Sequence, residues 1–318
     1  MTATQNSTLA AWPKLPLPHG LGKNYVTAHA LARSAIFSTQ VYCKKAPRPR
    51  YLSKTKLGAT ESSGIEVYQT AGHGLDQSDA EVFYELLRRV FNSGHEMHRE
   101  ARVYFNRAEL MKALGRAAGG KTRELLDQSL DRLFGAEFEF SVPGIFIGKS
   151  KLILKMYRRE CKAETEHDYD VLLDVELARL FESGQWTLLR RSELQCLKGK
   201  PVARGVYAYY STNLSPYPML PETLRDVMGR KGMQLSKFVK VLKPALAIVQ
   251  KATGWAKCEL ETTGKNAGKV VVERGKKDKK DDKDKKGAKD TAPASGAKTE
   301  VPAPVAETVP SDDQYGDI

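Results

Sequence analysis

The stretch QLSKFVKVLKPALAIVQKATGWAKCELETTGKNAGKVVVE, Gln234 to Glu273, decides the fold. Leu235, Phe238, Val239, Leu242, Leu246 and Val249 recur at helical spacing as far as Gly254, which predicts one long helix with a single core-facing stripe. Pro244 is expected to kink that helix without breaking its phase. Two β-prone runs follow, Cys258 to Thr262 and Val270 to Glu273, and the turn between them carries Lys265 and Lys269, so the pattern reads as a hairpin with a basic tip. The other side of the helix offers Gln234, Ser236, Lys237 and Lys240, with Arg230 and Lys231 just before it. Amide, hydroxyl and ammonium donors beside a helix N-terminus suit contact with base edges and phosphates.

Upstream of this stretch, Pro221 at a first helical position opens a short helix over Glu222 to Met228, closed by Gly229. Before it stand a helix from Ala203 through Tyr210, the stretch Trp186 to Leu197, and a helix around Glu176 to Phe181. The same order occurs once already, nearer the N-terminus. Val82, Phe83, Leu86, Leu87 and Val90 mark a helix over Asp76 to Phe91, with Ser78 or Asp79 placed to cap it. Asn106 and Glu109 form a capping box for a short helix ending at Gly115. Lys121 to Phe134 is a third helix with Leu125, Leu126, Leu130, Leu133 and Phe134 on one face. Glu137 to Phe140, the Pro143-Gly144 turn, Ile145 to Ile147, Leu152 to Tyr157 and Tyr169 to Val175 then read as a hairpin-rich sheet. Helices followed by a hairpin, twice over, give the order of a winged helix-turn-helix.

The expected fold class is therefore α+β, mostly helical: two tandem winged-helix domains and a disordered C-terminal tail. The expected divisions are a flexible leader (1–24), a first winged helix (25–175) for orientation, dimerisation and auxiliary DNA contact, a second (176–275) for major-groove recognition, and a tail (276–318). The tail is Lys/Asp-rich and then Ala/Pro-rich, too poor in apolar surface to offset its chain entropy.

The chain has 318 residues, 51 of them Lys or Arg against 38 Asp or Glu, a net charge of +13. Up to Arg274 there are 42 basic and 28 acidic residues, so the excess belongs to the folded body and points to a polyanionic partner, nucleic acid ahead of a membrane surface. Cys43, Cys161, Cys196 and Cys258 form neither a disulfide framework nor a C-x-x-C pair, which fits a reducing cytosol. No segment approaches the roughly 18 apolar residues of a membrane span, and Met1 to Gly20 does not read as a signal peptide. A cytoplasmic protein with no membrane partner is expected.

Three motifs compete with this reading. Gly115 to Thr122 (GRAAGGKT) satisfies the P-loop spacing, and Val171 to Asp174 resembles an apolar strand ending in a magnesium ligand, which keeps a P-loop ATPase acting on nucleic acid as the alternative. A P-loop, however, follows a strand, and the capping box puts a helix there. Lys121 and Arg123 then start the third helix, directed at DNA phosphate. His95 with His98, and the acids Glu164, Glu166, Asp168 and Asp170 around His167, lack metal-site spacing, so no metal, cofactor or catalytic residue is expected. Gln234 to Phe238 resembles a clamp-binding peptide, but Leu235 and Phe238 fall on the core stripe.

Taken together, the run from His29 to Phe37, Leu75 to Asp79, Glu176 to Phe181 before Trp186, and Tyr207 to Thr212 before Leu224 to Asp226 resemble plasmid replication initiators of the TrfA type, collinearly over about 29–273. The resemblance implies two winged helices that bind origin iterons, open an AT-rich region and recruit the host helicase and initiator proteins, with monomer–dimer exchange. That family carries a clamp-binding peptide upstream of the shared region, and residues 1 to 28 hold no match to it, so a sliding-clamp partner is not carried over. A winged-helix transcriptional repressor shares the same fold expectation.

Overall fold

The computed structural model describes residue 22 and residues 24–59, 64–92, 101–159 and 167–275. The leader and tail expectations, His95, His98, Cys161, Glu164 and Glu166 lie outside the described residues, apart from residues 22 and 24 of the leader.

The first elements among the described residues are β1 (Asn24–Ala28), α1 (His29–Ala32) and β2 (Phe37–Ser38), followed by β3 (Arg50–Tyr51), β4 (Thr55–Lys56), β5 (Glu66–His73), β6 (Leu75–Asp76) and α2 (Gln77–Asn92). All five predicted apolar residues of α2 are buried. Its cap is Asp76 rather than Ser78 or Asp79: the Asp76 carboxylate accepts from Ser78 N at 2.8 Å and Asp79 N at 3.3 Å. Asp79 turns inward, where half-buried Arg132 and buried Ser129 hold its carboxylate.

Next come β7 (Arg102–Phe105), α3 (Arg107–Ala113) and α4 (Gly120–Gly135). Asn106 caps α3 by accepting from Ala108 N, and Gly115, at φ +61°, turns the chain out of it. Leu126, Leu130 and Leu133 of α4 are buried, whereas Leu125 (50 %) and Phe134 (39 %) are largely outside the core, so the buried stripe is narrower than predicted. Then follow β8 (Glu137–Val142), β9 (Phe146–Lys151), β10 (Ile153–Arg158) and β11 (Tyr169–Leu173). β8 strictly alternates buried Phe138, Phe140 and Val142 with half-exposed residues, as a sheet with one covered face requires. The sheets are β3-β5-β8-β9, with β4 also on β5, and β10-β11-β7.

The expected helix around Glu176 to Phe181 is a 3-10 helix, Val175–Gly184, capped by Asp174. The Trp186 to Leu197 stretch divides into β12 (Trp186–Arg190) and α5 (Arg191–Cys196). α6 (Pro201–Ser211), α7 (Pro221–Val227), α8 (Leu235–Thr253), β13 (Lys257–Leu260) and β14 (Val270–Glu273) are the last elements among the described residues. α8 runs through Pro244 as one helix and stops at Gly254, φ +70°. It packs against α6, α7 and β13.

One pairing crosses the expected boundary at 175/176. β1 pairs antiparallel with β12, Asn24 opposite Arg190 through Ala28 opposite Trp186. β1, on the N-terminal side of that boundary, therefore pairs with a strand on its C-terminal side, and a cut at 176 strips β12 of its partner. Among the described residues no helix is long and apolar enough to cross a membrane.

Candidate nucleic-acid interface

α8 is held by its inner face and open on its outer one. Phe238, Leu242, Ala245, Leu246 and Val249 are buried at 0 to 4 % exposure, and at about 1.5–3 kcal/mol for each large apolar side chain removed from water this face anchors the helix firmly. Outside lie Gln234, Ser236, Lys237, Lys240 and Lys243, all exposed. α8 contains no acidic residue, and among the described residues none of these lysines has an ion pair. Gln234 precedes the helix without a side-chain cap bond, so its side chain leaves the first-turn amides of α8 uncapped. Such an array can bind phosphate and donate to base edges.

Two expectations for this helix are corrected. Leu235 is exposed at 39 %, because the first turn of α8 projects beyond the body that the stripe packs on. Arg230 is buried at 8 % and cannot reach DNA. Its guanidinium donates to Thr39 Oγ1 at 2.8 Å and to the Thr39 carbonyl at 2.5 Å, and burial pulls its pKa below the usual arginine value. Lys231 next to it is exposed. Phe238, fully buried, is also withdrawn from any clamp partner.

The turn between α7 and α8 is fixed by the same neighbour. Thr39 N and Thr39 Oγ1 both donate to the Met228 carbonyl, at 2.9 and 3.1 Å, and Ser38 Oγ donates to Gly229 O at 3.2 Å. Gly229 has φ +68°, and a Cβ there would stand 2.6 Å from Ser38 Oγ, so only glycine fits. A groove of about 680 Å³ opens beside this turn; Lys231, Gln234 and Lys237 line one side, and Tyr42, Tyr51 and Lys56 the other.

The remaining sequence-predicted residues sit elsewhere. Lys265 is exposed in the β13–β14 turn, and Lys269 is half-buried there, its amide donating to Asn266 O. Lys121 and Arg123 are exposed on the first turn of α4, away from the α8 groove. α3 stands where a P-loop needs a strand, and the carbonyls of Ala113 and Gly115 accept from Arg191 and Lys198 of the second unit. Asp168 and Asp170 are bound to Arg107 and Arg102, and among the described residues no cluster of three or more His, Cys, Asp or Glu side chains comes together. Sequence reasoning passed over Lys243, which continues the lysine spacing of α8, and Lys44, Lys45 and Arg50, whose run KKAPRPR was a readable basic loop.

The chain is similar to the following known proteins. A plasmid replication initiator protein TrfA of Escherichia coli is 25 % identical over 207 residues, 65 % of this chain; the chain spans about half of that relative, 52 % of its length. A crystal structure of selenomethionine domains 2 and 3 of RctB superposes over 77 % of this chain and 96 % of that one, with a TM-score of 0.50 at 14 % identity, a likeness of α+β fold. A second structure of RctB domains 2-3 covers 79 % and 98 %, with a TM-score of 0.47 and 13 % identity. The family described as TrfA protein matches residues 18–251, most of the described body. The chain belongs to the TrfA protein family.

Proposed function

We propose that this chain is a plasmid replication initiator that binds duplex origin DNA sequence-specifically at iterons, helps open the origin and recruits host replication proteins, without catalysing a reaction. The observation that carries this is the outer face of α8: exposed lysines with no acid among them, directly after a fixed turn. The TrfA relative supports the biological role.

The reading includes two tandem winged helices, α2-β7-α3-α4-β10-β11 and α6-α7-α8-β13-β14. What supports it is a shared detail of pairing. In the first unit the strand before the middle helix, β7, pairs with the last strand of the hairpin, β11; in the second, Met219 before α7 makes a bridge with Val270 of β14. Both middle helices also close on a left-handed glycine, Gly115 at φ +61° and Gly229 at φ +68°. The β8–β9 hairpin is then an insertion in the first unit, which orients the protein or pairs with a second copy.

Nuclease protection on the replicon that encodes the protein tests the reading. Protected direct repeats beside an AT-rich tract are expected. A lone promoter palindrome would identify a repressor on the same fold instead.

A further inference from the structure

Just after the Ser38–Thr39 contact with the α7–α8 turn, the chain forms an arm. Cys43 N donates to Ala46 O at 2.9 Å and Ala46 N to Cys43 O at 3.0 Å, which leaves Lys44 and Lys45 at the tip of a tight turn. The stem is fixed by Arg48: its guanidinium stacks 4.4 Å from the Tyr42 ring centroid and bonds Gly74 O, Asp76 and Asp79 at 2.6, 2.5 and 3.2 Å. Gly74 N donates back to Pro49 O at 2.9 Å, and β3 pairs with β5. The arm is therefore a rigid projection on the first unit.

Its charges divide into two sets. Arg48, Lys54 and Lys56 are neutralised by Asp76 and Asp79, Glu139 and Glu66. Lys44, Lys45 and Arg50 are exposed, and among the described residues they have no ion pair. The groove on this side of α8 has the arm residues Tyr42, Pro49 and Tyr51 as one wall and Lys231, Gln234 and Lys237 as the other. Asp226 is the one carboxylate in its lining, and Arg225 Nε holds it at 3.1 Å. The double hold of Thr39 on Met228 and Arg230 fixes the two walls relative to each other.

An α-helix, about 10–12 Å across, nearly fills a major groove about 12 Å wide, so a sugar–phosphate backbone must run against whatever flanks the helix. We propose that the arm from Cys43 to Arg50 holds this flanking backbone of duplex DNA through Lys44 and Lys45 at its tip, beside the groove that its stem residues Tyr42, Pro49 and Tyr51 line; Arg50, alternating with Tyr51 in β3, faces away from the groove. The proposal rests on α8 being the reading helix. Its ligand is phosphodiester, so it contributes affinity and register rather than sequence preference.

The test uses the full chain and two duplexes, the protected replicon segment and a random sequence, each titrated at several salt concentrations. The double variant Lys44→Ala, Lys45→Ala is expected to keep its melting temperature and to lower the salt slope on both duplexes by about 2 units, at roughly 0.9 per phosphate contact. An unchanged slope while Lys237→Ala and Lys240→Ala still weaken binding overturns the arm and leaves the α8 reading standing. Unchanged binding in all the variants overturns both. A second measurement needs no charge change: with Cys161 and Cys196 replaced by Ser, an iron chelate on exposed Cys43 should cut the backbone at one flank of the protected site. Absence of cuts there overturns the proposal.

Discussion

α4 and α8 follow a short helix and a glycine turn in their respective units, yet their charges are spent in opposite directions. On α4, Arg132 reaches inward to Asp79 at 2.7 Å, and Asp127 is shared by Arg107, Arg158 and the Tyr169 hydroxyl. Tyr169 is correspondingly hard to ionise, chiefly through burial, with Asp127 adding to it. On α8 the inward side is wholly apolar and the lysines stay outside. A helix whose charges are satisfied by its own protein is a strut; one whose charges are left unpaired is an offer to a partner. In the proposed reading, the inward charges of α4 serve architecture, although Lys121 and Arg123 of its first turn stay exposed, and the outer face of α8 serves recognition.

The largest effects should come from the two anchors. Phe238→Ala is expected to cost about 3–5 kcal/mol by opening a cavity under α8. Asp79→Ala is expected to cost a similar amount, about 3–5 kcal/mol, for a different reason: it leaves Arg132 and Arg48 without the buried carboxylate they both bind. Denaturant unfolding of both variants measures this. If Asp79→Ala is nearly neutral, α4 is not held by its charges and the comparison loses one side.

Arg230 gives the next sharpest division. Arg230→Lys keeps a cation but cannot make both bonds to Thr39, so it should lose about 1–3 kcal/mol of stability, much as Arg230→Ala does. A DNA-contacting arginine would instead tolerate Lys in binding while leaving the melting temperature alone.

Smaller shifts belong to single surface cations. Lys237→Ala and Lys240→Ala should each lower the salt slope by about one unit, roughly 0.9 per phosphate released. Lys121→Ala and Arg123→Ala should change it less, with no effect on ATP binding in the Lys121 variant. The reverse ranking would make α4 the reader. Least of all should thiol labelling disturb the molecule. Burial, with Glu259 adding to it, pushes the Cys258 thiol up to about 12, so under native conditions at neutral pH it should stay unlabelled while Cys43 and Cys196 react.

Much of the architecture could be read along the chain because it is written locally. Apolar periodicity located α2 and α8, Asn106 and Gly115 bounded α3, and a helix ahead of GRAAGGKT disposed of the strand that a P-loop requires. Other features depend on neighbours distant in sequence. Arg230 and Lys231 look alike locally, and only the approach of Thr39, 191 residues away, decides which one is buried. Leu235 obeys the stripe, but the body beneath the first turn runs out before reaching it. The basic arm has no periodicity at all; prolines and a two-residue tip shape it, so composition was its one signal.

The pairing of β1 with β12 also sets a schedule. Ala28 lies opposite Trp186, so after the first strand has been synthesised its partner is still about 160 residues away, roughly 10 to 30 s at about 5 to 20 residues per second. During that interval a buried-pattern strand, Tyr25 to Ala28, has no edge to join. Closing so long a loop also slows the final search. The nascent chain therefore leaves this strand unpaired until β12 emerges, and in a crowded cell this is the window in which a chaperone or a protease meets it first.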